Sequence, residues 1–188
     1  MHRLRFPSNG QSLEGAVSFA IIKVMRVRTR ADLAGLTAHG RRTDRSPHVD
    51  RSRSHLNHHW SPPALELDDP SDLTEAVDAV IVKAGAKTHR GSAVAADFHL
   101  GASPGFFEQE DGSWDYQKIG AWYKANRLAM LERFPGMIAS MRLDLDESSP
   151  YIAVYIVPPV TKTTKHGSGP VVSFRKLLGG ESKAEAST

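Results

Sequence analysis

Two alternating runs, separated by four residues, constrain this chain more than any other stretch. In "MIASMRLDLD", residues 137–146, Ala139, Met141, Leu143 and Leu145 alternate with Ser140, Arg142, Asp144 and Asp146. In "YIAVYIV", residues 151–157, Ile152, Val154 and Ile156 alternate with Tyr151, Ala153 and Tyr155. Successive side chains of a strand point to opposite faces, so each run predicts a strand with one apolar face. The link "ESSP" joins them as a hairpin. Arg142, Asp144, Tyr151 and Tyr155 then share its less apolar face.

The remaining elements follow from the same periodicities. "SFAIIKVM", residues 18–25, predicts a buried strand, and "RADLAGLTAHGRRT" a short helix ending near Gly40. Residues 41–63 have neither period and predict a long loop. Leu73, Ala76, Val77, Val80, Ile81 and Ala84 recur at helical spacing, with Asp72 and Glu75 as a capping box and Gly85 as a left-handed stop. "AVAADFHL" predicts a strand whose apolar face is Val94, Ala96, Phe98 and Leu100. A second helix runs from about Trp114 to Phe134, with Ser113 as N-cap and Ile119, Trp122, Ala125 and Ala129 as its buried stripe. Residues 1–16 have no apolar period and read as a disordered leader outside the fold, and residues 161–188 as a frayed C-terminal segment. Residues 17–160 remain as one domain. The order of elements is that of an α+β fold with a mainly antiparallel sheet and helices packed on one face of it.

Composition narrows function by exclusion. A chain of 188 residues with 40% apolar content supports one domain with a core. The absence of cysteine excludes disulfides, thiolate metal sites and a cysteine nucleophile, and it suits a cytoplasmic protein. No apolar run is long enough to span a bilayer, which argues against a membrane partner. Residues 1–60 hold eleven Lys and Arg against four Asp and Glu, while the rest holds thirteen against seventeen. Ten of the eleven are arginines, whose planar fork pairs with phosphate oxygens at two points. That segment reads either as a solvated basic face or as a nucleic-acid contact.

Three stretches together carry a resemblance. "SFAIIKVMRV", "AHGRRTDRSPHVDRSRSHLNHHW" and "DLDESSPYIAVYIVP" are similar, in order and spacing, to the N-terminal domain of the Mob/Pre family of plasmid mobilisation relaxases, also called plasmid recombination enzymes. The resemblance covers roughly residues 17–180. It implies a relaxase-like fold and a protein that nicks and rejoins one strand of plasmid DNA at an origin of transfer, a phosphodiester transesterification. His39 and Arg42 stand at the family's His-x-x-Arg motif, with the histidine as attacking group and the arginine neutralising the phosphate. Gly40 stands where relatives have asparagine. The run Asp50, Arg53, His55, Leu56 and Asn57 matches a second motif and implies DNA contacts by Arg41, Arg51, Arg53 and Asn57. His55, His58 and His59 read as exposed or DNA-contacting rather than as metal ligands.

The third motif is His-x-Asp-Glu-x-x-Pro-His-x-His, and aligned on Asp146, Glu147 and Pro150 its histidines fall at Asp144, Tyr151 and Ala153. The metal-ligand histidines are therefore expected to be absent and metal-dependent cleavage impaired. Two readings compete. Asp144 and Glu147, the latter also a catalytic candidate, hold a harder divalent cation such as Mn²⁺ or Mg²⁺, or the domain takes no metal and is a non-catalytic basic DNA-binding module.

Overall fold

The hairpin forms at the centre of the fold. The computed structural model describes residues 20–165 and 167–177, so the expectation for residues 1–16 lies outside the described residues. The elements in chain order are β1 (Ala20–Val27), α1 (Arg30–Gly40), β2 (His58–Trp60), α2 (Leu73–Lys83), β3 (Ala95–Ala102), α3 (Pro104–Phe107), α4 (Tyr116–Arg133), β4 (Ile138–Asp144), β5 (Tyr151–Ile156), β6 (Pro159–Thr164), β7 (Gly167–Val172) and α5 (Phe174–Leu177). β4 and β5 pair antiparallel, with Asp144 opposite Tyr151 and Arg142 opposite Ala153. The five-stranded sheet has the order β1-β3-β5-β4-β2, and every pairing in it is antiparallel. This is the mixed α+β architecture expected from the sequence.

Both faces of the sheet are covered, not one. The alternation in β4 and β5 sends Met141, Leu143, Ile152, Val154 and Ile156 into a cluster with Ile119, Tyr123 and Met130 of α4. Ala139, Ala153 and Tyr155 point the other way, toward Leu33 of α1 and Val77 and Val80 of α2. A register shift between Ile138 and Ser140 explains why Ala139 joins the second cluster and Met141 the first. β3 likewise buries both of its faces, so Asp97 is 1% exposed although it alternates with Phe98.

Several local expectations need correction. β1 is an edge strand with only Val27 buried, because it lies at the end of the sheet. The N-cap of α4 is Asp115, which accepts from the Lys118 N–H, in place of Ser113. Of the predicted stripe only Ile119 is buried, joined by Tyr123 and Met130, while Ala125 and Ala129 face solvent. The segment expected to be frayed contains the β6–β7 hairpin and α5, and Val172 and Phe174 are buried. α2 forms as predicted, with Asp72 accepting from Thr74 and Glu75 and Gly85 at φ 58° closing its end. Among the described residues no helix is long and apolar enough to cross a membrane.

Candidate functional site

The site begins at the C-terminal end of α1. The last turn of a helix leaves carbonyls without donors, and here the Thr43 N–H donates to the Ala38 carbonyl at 2.9 Å and the Arg42 N–H to the His39 carbonyl at 3.0 Å. That closure requires a left-handed residue just past the helix, and Arg42 supplies it at φ 55° where glycine is usual. The conformation costs about 1 kcal/mol or more for a residue with a β-carbon. It is offset by what it positions. The Arg42 guanidinium folds beneath the helix end, where Nε donates to Asp146 at 2.8 Å, Nη2 donates to the other Asp146 oxygen at 2.6 Å, and Nη2 lies 3.0 Å from Asp144.

A second guanidinium completes this layer. Arg142 Nε lies 2.8 Å from both Asp144 oxygens, and Nη2 donates to the Tyr151 hydroxyl at 3.1 Å. The side chains of Asp144 and Asp146 are fully buried, and those of Arg42 and Arg142 are 5% and 3% exposed. Two cations and two anions thus balance inside the protein, the condition for burying charge at all. Burial works against the charged form of Asp146, yet hydrogen bonds from Arg42 and Ser54 hold its carboxyl far below the usual range. Burial and the Asp144 charge push the Tyr151 hydroxyl well above its ordinary value.

The second motif clamps this layer from outside. The Asp50 N–H donates to the Asp146 carbonyl at 2.7 Å, Ser54 Oγ to Asp146 Oδ2 at 2.6 Å, and Arg53 Nη2 to the Glu147 carbonyl at 3.0 Å. Asn57 Oδ1 accepts from the Leu145 N–H at 2.8 Å. Arg51 donates to the Arg42 carbonyl at 2.5 Å and to the Asp44 carbonyl. Arg41 pairs with Asp69 at 2.6 Å and Ser71 at 2.8 Å. The four groups expected to contact DNA are thus engaged within the chain, because the long loop carrying most of them has little regular structure and needs side-chain bonds to hold its course.

Above this layer the groups are accessible. His39 Nδ1 lies 3.0 Å from Asp44, which is also bonded by Ser46. His39 Nε2 lies 3.3 Å from Glu147 Oε1 and 3.0 Å from Arg42 Nη1. The protonated ring donates to Glu147, whereas the neutral ring, keeping its proton on Nδ1 for Asp44, accepts from Arg42. The bond to Glu147 is the main reason that the His39 pKa is raised, with burial opposing it and Asp44 adding to the rise. Burial raises the Glu147 carboxyl, but His39 and Arg42 outweigh it and the net shift is downward. His48 Nε2 lies 3.7 Å from Glu147 Oε1, and its ring tilts against that of His39 at 5.8 Å.

His39, His48 and Glu147 each offer one ligand atom, all within 4.8 Å of one another, and together could hold a metal ion. This corrects the expectation that metal-ligand histidines are absent. The expectation considered positions on the hairpin, whereas His48 arrives from the irregular loop, where no periodicity announces it. Asp144, expected as a metal ligand, is instead enclosed by two guanidinium groups, and Glu147 is the carboxylate left accessible. His59 packs beside Gly40 and is pushed down by burial and by Arg142. His99 bonds Asp97 at 3.1 Å and stacks on Tyr151 at 5.4 Å. Tyr155 is 1% exposed and is a packing residue.

No protein-family model and no curated protein matches the chain. Solved structures do. A Mn-bound MobM relaxase domain (MOBV; Mob_Pre) on 22 nucleotides of plasmid pMV158 oriT DNA, at pH 5.5, superposes with a TM-score of 0.66 at 17% identity, covering 89% of this chain and 79% of that one. The same domain on DNA with a 3′-thiophosphate, at pH 6.8, gives the same values. Its complex with 26 nucleotides gives a TM-score of 0.52 at 14% identity, with 89% and 79% covered. At these identities the likeness establishes the fold, which is relaxase-like.

Proposed function

We propose that this chain is a relaxase-type domain that binds plasmid DNA at an origin of transfer and receives one backbone phosphate between His39, His48 and Glu147. The observation that carries this reading is the convergence of two imidazole nitrogens and one carboxylate oxygen above a sealed, charge-balanced layer. The donor set fits a divalent cation. Two ligands on one ion, with bonds of about 2.1–2.2 Å, stand no more than roughly 4.4 Å apart, and His48 Nε2 lies 3.7 Å from Glu147 Oε1. Mixed imidazole and carboxylate ligands suit Mn²⁺ better than Mg²⁺. Such an ion would polarise a phosphate oxygen.

The chain's own residues supply the rest. Asp44, by accepting from Nδ1, leaves the lone pair of a neutral His39 on Nε2, beside Glu147, and a neutral imidazole is a competent nucleophile toward phosphorus. Arg42 Nη1 donates to the His39 carbonyl at 2.8 Å and so fixes the ring's backbone. With Glu147 and His48 on the ion, His39 is the attacking group for strand cleavage and rejoining. A second reading, DNA binding without cleavage, is favoured by one observation: the Arg42 fork is consumed by Asp146 and Asp144 and is not free for a phosphate. Nicking of supercoiled plasmid with Mn²⁺, run alongside DNA-binding anisotropy, separates them. Nicking that is lost in His39→Ala supports the first reading; binding with no nicking in the parent supports the second. Absence of DNA binding at low salt would refute both.

A further inference from the structure

The acidic turn and its surroundings hold three carboxylates in a row of contacts, Asp144, Asp146 and Glu147, but they are not equivalent. Glu147 is 16% exposed, whereas Asp144 and Asp146 are sealed. Asp144 is held by a cation from the sheet itself. Arg142 is two residues away on β4, so both side chains leave the same face of one strand, and Nε and Nη2 both reach the carboxylate at 2.8 Å. The opposite edge of the guanidinium needs room against α1, and Gly40 provides it. A β-carbon there would overlap Arg142 Nη1 and stand 3.3 Å from Cζ. Gly40 carries no left-handed torsion, so its lack of a side chain serves this contact rather than the backbone.

We infer that Arg142, admitted by Gly40, is the resident cation of Asp144, and that it confines divalent metal to one ion per chain, at Glu147 and His48 beside His39. Charge sets this limit. With Arg142 present, two guanidinium groups balance two buried carboxylates and the inner pair has no use for a further cation. Without it, one guanidinium is shared between two buried carboxylates, and the Asp144 oxygens that Arg142 Nε and Nη2 had reached lose those donors. A buried uncompensated carboxylate in a polar cluster takes up a cation or a proton. Arg142 acts through Asp144 and is therefore a positioning residue. The inference rests on the proposed outer metal group only for the count of one in the parent.

The test is Mn²⁺ stoichiometry by calorimetry and by electron paramagnetic resonance on the parent, Arg142→Met, Arg142→Lys and Arg142→Met with Asp144→Asn. Arg142→Met is expected to bind one equivalent more than the parent, Arg142→Lys the same number as the parent, and the double variant to lose the added equivalent. A folded Arg142→Met with an unchanged count, or an equal gain in Arg142→Lys, overturns the inference. If Arg142→Met unfolds in chelator, recovery of its folded circular dichroism on adding Mn²⁺ supports the inference and failure to respond overturns it. The outer group is read separately: a parent that binds no Mn²⁺ removes the proposed outer site, while the difference between parent and Arg142→Met still decides the role of Arg142.

Discussion

Replacing Arg42 by Met keeps an unbranched stem and removes the guanidinium that joins the end of α1 to the hairpin. Asp144 would retain Arg142, but Asp146, with no exposed side-chain surface, would be left with the Ser54 hydroxyl. Breaking one partner of a buried ion pair costs about 3–5 kcal/mol, because the remaining charge is neither solvated nor paired. That is a large share of the 5–15 kcal/mol or so of a typical domain. The loss must also depend on pH. The folded-state pKa of Asp146 is depressed, so its contribution is complete above the ordinary carboxylate value of about 3.9 and fades as pH falls toward the folded value. Urea denaturation followed by circular dichroism at pH 7 and pH 3 should show a wide gap between parent and Arg42→Met that narrows at pH 3. A gap below about 1 kcal/mol at pH 7, or one of equal size at both pH values, would refute the account of this buried layer.

Gly40→Ala should lower stability by about 1–3 kcal/mol in the same assay, as expected for overpacking against the Arg142 guanidinium; no loss would show that the guanidinium yields freely. Glu147→Gln should abolish Mn²⁺ binding by the parent while leaving the circular dichroism spectrum intact, and undiminished binding would exclude Glu147 as a ligand. Arg45 is exposed and makes no hydrogen bond or ion pair among the described residues. Arg45→Ala should therefore reduce the slope of log affinity for DNA against log salt by about one. Arg41→Ala, already paired with Asp69, should leave that slope unchanged, and the reverse pattern would show that intramolecular pairing does not decide which arginines meet DNA.

The sheet was legible because burial on one face of each strand leaves a period of two, which β4 and β5 write without interruption until the register shift at Ala139. The helix α2 was legible for the corresponding reason at a period near four. The stripe of α4 was misplaced, since Ile119, Tyr123 and Met130 share the buried face while Ala125 and Ala129 face water. Three-residue β2 is too short for any period to show. At the site, His39 and Arg42 were singled out by the resemblance of three stretches taken together, and the structure places Arg42 against Asp146 across 104 residues of sequence. His48 was missed because a loop residue acquires its position from side-chain bonds, here those of Asp44, Ser46 and Arg51, and no local pattern encodes them.

Burial also sorts residues that the sequence could not rank. Arg42, Asp144, Asp146 and Glu147 are all ionisable and all close, and by residue type any of them could act on a phosphate. The inner three are held by short bonds in a layer with almost no solvent contact, so each fixes another's place and none can change partners without exposing a charge. Glu147 differs in standing at the rim, where its neighbours are His39 and the exposed His48. The chain thus keeps its reactive choices at the rim and its fixed charges beneath. The motif from Asp50 to Asn57 belongs to the fixed half: its residues hold the backbone of Leu145, Asp146 and Glu147, so that a loop with little regular structure sets where the rim carboxylate stands.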